Sequence, residues 1–203
     1  MANNLKSMIK VIANEEAITE LQRRVELALD KDSIAAFAKA FYDDVELSEN
    51  GGVMNSWSLD NLGSKWTYLS DNWGGGEFVI ESAWYAPKEF FFHLYKLMSN
   101  IDPEVVIEVQ YEDETYNPIG AFVLKKDANG DAVYYNEEDD EMEDPTVDMD
   151  WDDEEYEQTQ MDFMDSIAER QQEMLSFCYE MIDGNDGYVI TSAETESESE
   201  TEG

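Results

Sequence analysis

Residues 5–29 read LKSMIKVIANEEAITELQRRVELAL, and the change of rhythm at Asn14 decides how the fold begins. Leu5 to Ile12 is rich in apolar and β-branched residues with partial alternation, the pattern of a strand. Asn14 is an N-cap residue, and Glu15 and Glu16 sit in the first turn, where the helix dipole favours negative charge. Ile18, Leu21, Val25 and Leu29, with Ala28, then recur at helical spacing. A strand running straight into an amphipathic helix is the first half of a βα unit.

The same reading continues along the chain. A second helix is expected from Asp32 or Ser33 through SIAAFAKAFYDD, with Ile34, Phe37, Ala38 and Phe41 on one face and a break at Glu49-Asn50-Gly51-Gly52. SKWTYL and EFVIESAW read as two short strands separated by the turn Asp71-Asn72-Trp73-Gly74-Gly75-Gly76. Pro87 opens a helix, PKEFFFHLYKLMSN, stopped by Asn100 and Pro103. VVIEVQY alternates as a strand, and IGAFVLKK and DAVYY form a hairpin about Asn129-Gly130. Beyond Glu157, Met161, Met164, Ile167 or Ala168, Met174 or Leu175, Cys178 and Met181 mark one stripe of a Met-rich helix. That helix either docks on the domain or binds a partner.

Strand, helix, strand, strand, helix, strand predicts an α+β fold: a ferredoxin-like βαββαβ antiparallel sheet with helices on one face, to which the hairpin adds edge strands. The expected organisation is a domain over 1–135, an acidic segment over 136–158, the helix over 159–183 and a disordered acidic tail over 184–203.

Charge is the outlier of the composition. The chain has 203 residues, with 12 Lys and Arg against 49 Asp and Glu, for a net charge of −37. Up to Lys126 there are eleven basic and twenty-one acidic residues; from Asp127 onward there are twenty-eight acidic residues and a single basic one, Arg170. Such a chain repels nucleic acid and anionic membrane, so neither is an expected direct partner. Cys178 is the only cysteine, the opening MANNLKSMIK has no apolar leader and no stretch reaches transmembrane length, which together predict a cytoplasmic protein.

Several motifs carry a resemblance. Trp57-Ser58-Leu59-Asp60-Asn61-Leu62-Gly63-Ser64-Lys65-Trp66, Ala83-Trp84-Tyr85-Ala86-Pro87, Tyr111-Glu112 and Gly120-Ala121-Phe122 are similar to motifs of the YubB-like (Api92-like) ferredoxin-like domain family of phages and plasmids. That family shows W-x-x-x-N-W-G-T-K-W, T-A-W-x-x-P, and a Y-x-E strand followed by a glycine. Leu62 replaces its usual Trp and Ser64 its Thr, and the acidic C-terminal third lies outside the match, which covers about residues 1–135. The resemblance implies a fold and a mobile-element origin but no reaction. Trp66 and Trp84 are expected as core or sheet-face aromatics, Gly63 as a turn and Pro87 as the first helical residue.

No catalytic constellation stands out. His93 is the single histidine, expected on a helix surface or half-buried, and it lies far in sequence from Cys178. Asp127 to Glu138 imitates the ligand spacing of a calcium loop, but Ala132 occupies the glycine position and the flanks are strands, so it reads as a hairpin turn. Gly74-Gly75-Gly76 lacks the Lys-Ser/Thr of a phosphate loop. The sequence predicts no enzyme, no cofactor and no specific metal.

What remains is YYNEEDDEMEDPTVDMDWDDEEYEQ, residues 134–158, in which fourteen of the twenty-one residues from 137 to 157 are acidic. The expected partner-binding residues are Glu137, Glu138, Asp139, Asp140, Glu141, Glu143, Asp144, Asp148, Asp150, Asp152, Asp153, Glu154, Glu155 and Glu157, with Trp151 and Tyr156 among them. Carboxylates at this density imitate the phosphates of DNA, while Tyr134, Tyr135, Trp151 and Tyr156 match stacking platforms and Met142, Val147 and Met149 supply apolar anchors. The expected function is a non-enzymatic DNA mimic that blocks a host nucleic-acid-binding protein with a basic groove, such as a restriction enzyme or other nuclease. The alternatives are an adaptor, antitoxin or phage structural component that works through the Met-rich helix with the acidic run as a solvated linker, and a divalent-ion buffer.

Overall fold

Asn14 ends one periodicity and starts the next through its side chain. In the computed structural model, which describes residues 3–29, 33–147, 149–150 and 155–190, Asn14 Oδ1 accepts the Ala17 amide at 3.0 Å. It thereby caps α1 (Glu15–Leu29) two residues after β1 (Asn4–Ile12) ends. There follow α2 (Ile34–Phe41), capped by Ser33, α3 (Asn55–Leu62), β2 (Thr67–Gly74), β3 (Glu77–Ala83) and α4 (Lys88–Ser99). Then come β4 (Val106–Asp113), β5 (Ile119–Lys126), β6 (Ala132–Asp139), α5 (Tyr156–Asp183) and β7 (Tyr188–Val189). The protein is α+β, and its seven strands form one sheet in the order β2-β3-β1-β4-β5-β6-β7, every neighbouring pair antiparallel.

Alternate residues of the strands build two cores. On one face Leu5, Ile9 and Val11 of β1, Phe78 and Ile80 of β3, and Ile107, Val109 and Tyr111 of β4 pack against α1, α2 and α4. There Phe90 lies 4.9 Å from Phe37 and edge-on to Phe41 at 5.1 Å. On the other face Ile119, Ala121, Val123 and Val133 meet Phe163, Ile167, Met174, Leu175, Cys178 and Ile182 of α5. Helices therefore cover both faces, not one as the topology predicted, because a second helix layer seals the hairpin's outer side. β5 is buried from Ile119 to Leu124, as its unbroken apolar run IGAFVL requires of a strand covered twice.

Local corrections have local causes. The buried stripe of α1 is Ala17, Leu21, Val25 and Ala28, while Leu29 is exposed; α1 packs on α2, and alanines at the contact let two helices approach. Helix α3 has no apolar periodicity to reveal it. Tertiary burial of Trp57 and Leu62 holds it instead, with Trp57 edge-on to Tyr42 at 5.1 Å. Strand β2 runs on through Asp71-Asn72-Trp73 by means of two register shifts, and the turn is confined to Gly75-Gly76. Pro87 is the cap of α4 and not its first residue.

Strand β6 continues to Asp139, four residues past DAVYY, so the first carboxylates of the acidic run are sheet residues. On α5 the buried face is led by Phe163 and includes Gln171, whereas Met161 and Met164 are exposed; the stripe is rotated towards the larger side chain. Within the expected tail, Tyr188 and Val189 pair with Tyr134 and Val133 in the sheet, and residues 191–203 lie outside the described residues. No helix among the described residues is long and apolar enough to cross a membrane.

Gly120 shows how closely the sheet is filled. A Cβ there would stand 2.3 Å from Cζ of Tyr111, the β4 residue that opposes Gly120 of β5 and whose ring lies over it. Gly120→Ala must displace a fully buried ring, and we expect a loss of about 1–3 kcal/mol, read as a lower urea midpoint at unchanged slope. Burial pushes the Cys178 thiol up to about 12, so the folded state holds it neutral and loses stability as pH rises above the ordinary thiol value. Native protein should therefore resist alkylation at pH 8 and react only on unfolding, which mass spectrometry with and without denaturant would show.

Candidate functional site

The alternation of β6 divides the acidic run between two sides of the sheet. Asn136 and Glu138 face the side on which Tyr111 lies, and its hydroxyl stands 2.9 Å from Asn136 Oδ1 and 2.8 Å from Glu138 Oε2. With one proton to donate, that hydroxyl finds its stronger acceptor in the carboxylate. Glu137 and Asp139 face α5. Asp139 accepts from Arg170 Nε at 3.1 Å, and Arg170 also reaches Glu173 at 3.3 Å. The one cation of the C-terminal third is thus spent within the protein.

Past β6 the chain is tied down at intervals. Glu141 N–H donates to Asp139 Oδ1, and Asp144 Oδ1 accepts both the amide and the hydroxyl of Thr146, at 2.8 and 2.7 Å. Thr146 is buried, and Met142 packs inward on the α5 core; it is no outward anchor, although Val147 is exposed. Tyr134 stacks on Phe122 at 5.3 Å, and Tyr135 packs against Phe177 and Tyr188, so neither is displayed as a free stacking platform. Asp140, Glu141, Glu143 and Asp150 are on or near the surface, and Glu155, Tyr156 and Glu157 start α5. Asp148, Trp151, Asp152, Asp153 and Glu154 lie outside the described residues.

Two features were not apparent from the sequence. The first is the outer side of α5. Because its apolar stripe is buried, Asp162, Asp165, Glu169, Glu173, Glu180 and Asp183 project from the opposite, exposed side, while Glu157 is exposed at the start of the helix. Asp162 accepts from Gln158 Nε2, and Asp183 pairs with Lys125 at 2.8 Å; among the described residues the other four have no cation but Arg170.

The second is a cleft of 660 Å³ at the carboxyl end of β6. Its lining joins Trp84, Tyr85, Ala86, Lys88 and Glu89 to Leu5, Gly63, Asn117, Pro118, Glu138 and Asp140. Trp84 adopts the left-handed backbone, φ 66°, rare for so bulky a residue, and is 46% exposed, so it is no core aromatic. The turn is held by Trp84 N–H donating to the Asn3 carbonyl at 3.0 Å and by Ser82 Oγ donating to the Tyr85 carbonyl at 2.8 Å. Gly63, the left-handed C-cap of α3, admits the Glu89 carboxylate, which would stand 1.8 Å from any Cβ there.

No protein-family model, curated protein or solved structure matches the chain. Among the residues weighed for chemistry, His93 is half-buried, stacked on Tyr42 at 3.9 Å with Nε2 2.9 Å from the Phe41 carbonyl; burial holds its pKa down. Asp127 closes the β5–β6 turn by accepting the amides of Asn129 and Asp131. Both contacts are structural.

Burial, reinforced by the nearby Glu138 charge, drives the Tyr111 phenol well above its ordinary pKa. We expect Tyr111→Phe to keep the ring packing and cost about 0.5–1.5 kcal/mol, measured by chemical denaturation, while removing one of the alkali-resistant steps, which it shares with Tyr42, from a spectrophotometric tyrosine titration.

Proposed function

We propose that the protein is a non-enzymatic DNA mimic that occupies the basic groove of a nucleic-acid-binding protein. The observation that carries this reading is the seating of α5. Its apolar stripe is buried, so its acidic side is held on a rigid cylinder next to the carboxylates of β6. From Asp162 to Asp183 the helix spans roughly 30 Å at about 1.5 Å per residue. Its six outward carboxylates fall on average about 6 Å apart, against roughly 3.4 Å per phosphate along one DNA strand. The acidic run between β6 and α5 raises that density. The mimic surface thus includes Asp162, Asp165, Glu169, Glu173 and Glu180 in addition to the residues from Glu137 to Glu157.

Strand order supports a finer reading of the fold. The order β2-β3-β1-β4, with α1 and α4 among the connections on one face, supports reading these elements as a ferredoxin-like βαββαβ core to which α2, α3, β5, β6, β7 and α5 are additions. Tyr111 lying over Gly120 gives a physical reason for pairing a Y-x-E strand with a later glycine, in keeping with the resemblance to the YubB-like family. On that resemblance the chain is a phage or plasmid protein, and its partner a host defence nuclease or other DNA-binding protein. The adaptor reading needs the apolar stripe of α5 to be free, and that stripe is buried against β5 and β6.

The test is capture of partners from lysate on immobilised protein, followed by elution with duplex DNA. We expect nucleic-acid-binding proteins to be released by duplex DNA and by salt, and to be retained far less by the combined Asp162→Asn, Asp165→Asn and Glu169→Gln variant at unchanged circular dichroism. Partners that duplex DNA fails to displace would overturn the proposal.

A further inference from the structure

The cleft beside the Trp84 turn differs from the rest of the acidic surface because it has aromatic walls. Trp84 and Tyr85 are 46% and 70% exposed, and three carboxylates, Glu89, Glu138 and Asp140, line the same space against one cation, Lys88. Exposed aromatics on a tied, left-handed turn are a costly arrangement that core packing does not require. Trp84 already attracts positive charge, since Lys65 Nζ sits 5.7 Å from its ring centroid.

Glu138 is also built in place. Tyr111, fully buried, donates to one of its oxygens from beneath, fixing the carboxylate on a strand end while Oε1 has no partner among the described residues. Glu89 is likewise confined, because its carboxylate rests on the bare Cα of Gly63. Fixed carboxylates and an indole lining one cleft suit a planar cation that stacks and donates two parallel hydrogen bonds at once. A guanidinium does both, while a lysine ammonium offers only a point charge.

We infer that this cleft receives an arginine side chain of the protein partner. The inference rests on the basic-partner reading above and names the contact that adds selectivity to it. The α5 surface attracts any positive groove through long-range charge; the cleft discriminates among cations at contact.

The experiment is calorimetric titration of the full chain with a short arginine-rich peptide and a lysine-rich peptide of the same length and charge. We expect the arginine peptide to bind about tenfold tighter, as stacking and paired hydrogen bonds provide. Trp84→Ala, and separately the conservative Glu138→Gln, should bring that ratio close to unity, whereas Asp165→Asn, which removes equal charge on α5, should weaken both peptides alike and keep the ratio. Circular dichroism confirms that each variant is folded. Equal binding of the two peptides by the native chain, or a ratio that survives Trp84→Ala, would overturn the arginine site and leave the DNA-mimic proposal standing. Binding of neither peptide would overturn both.

Discussion

The arrangement depends on the burial of one helical stripe. Phe163, Ile167, Met174, Leu175 and Ile182 seat α5 on β5 and β6, and each such side chain contributes roughly 1.5–3 kcal/mol when removed from water. Repulsion between exposed carboxylates is worth only a few tenths of a kcal/mol per pair at helical spacing. Hydrophobic contact therefore wins, and an acidic helix is held beside an acidic strand end. Polar contacts then fix its register: Gln171 Nε2 donates to the Tyr111 carbonyl at 3.0 Å, Tyr179 OH to Glu108 at 2.7 Å, and Arg170 and Lys125 bridge to Asp139 and Asp183. Buried Gln171 has a partner only in the docked position, so the contact specifies place more than it adds stability.

Tyr111 links the core to the surface. Its ring packs in the aromatic side of the sheet, its carbonyl accepts from α5 and its hydroxyl reaches Glu138 at the cleft. One residue thus relates both helix layers to the first carboxylates of the acidic run. Gly120 is the condition for this, since any side chain there would force the ring away.

Sequence periodicity revealed what periodicity encodes. The strands of the first core, α1, α4 and the Asn-Gly hairpin follow from alternation, caps and turn residues, because each expresses a local preference that the fold keeps. Helix α3 could not be read in this way, since NSWSLDNL has no stripe and is helical only through burial of Trp57 and Leu62. The second helix layer did leave a mark: IGAFVL is apolar on both alternating faces, which a strand with one solvated side would not be. Of the candidate site, the charge was legible and its presentation was not. Exposure of Trp84 depends on a left-handed backbone that no composition rule assigns to tryptophan, and the cleft joins residues from distant elements.

The short β7 has a consequence for how molecules of this chain meet. It covers β6 only at Val133 and Tyr134, which leaves the carboxyl half of an outer strand without a neighbouring strand among the described residues. An uncovered strand invites a second copy to continue the sheet, the usual route to open-ended aggregation. Here that half carries Glu137, Glu138 and Asp139, so an approaching copy would bring the same charges into register with them. The negative charge proposed to face a basic groove also keeps the molecules of this protein apart, because it makes that open strand edge a repulsive one.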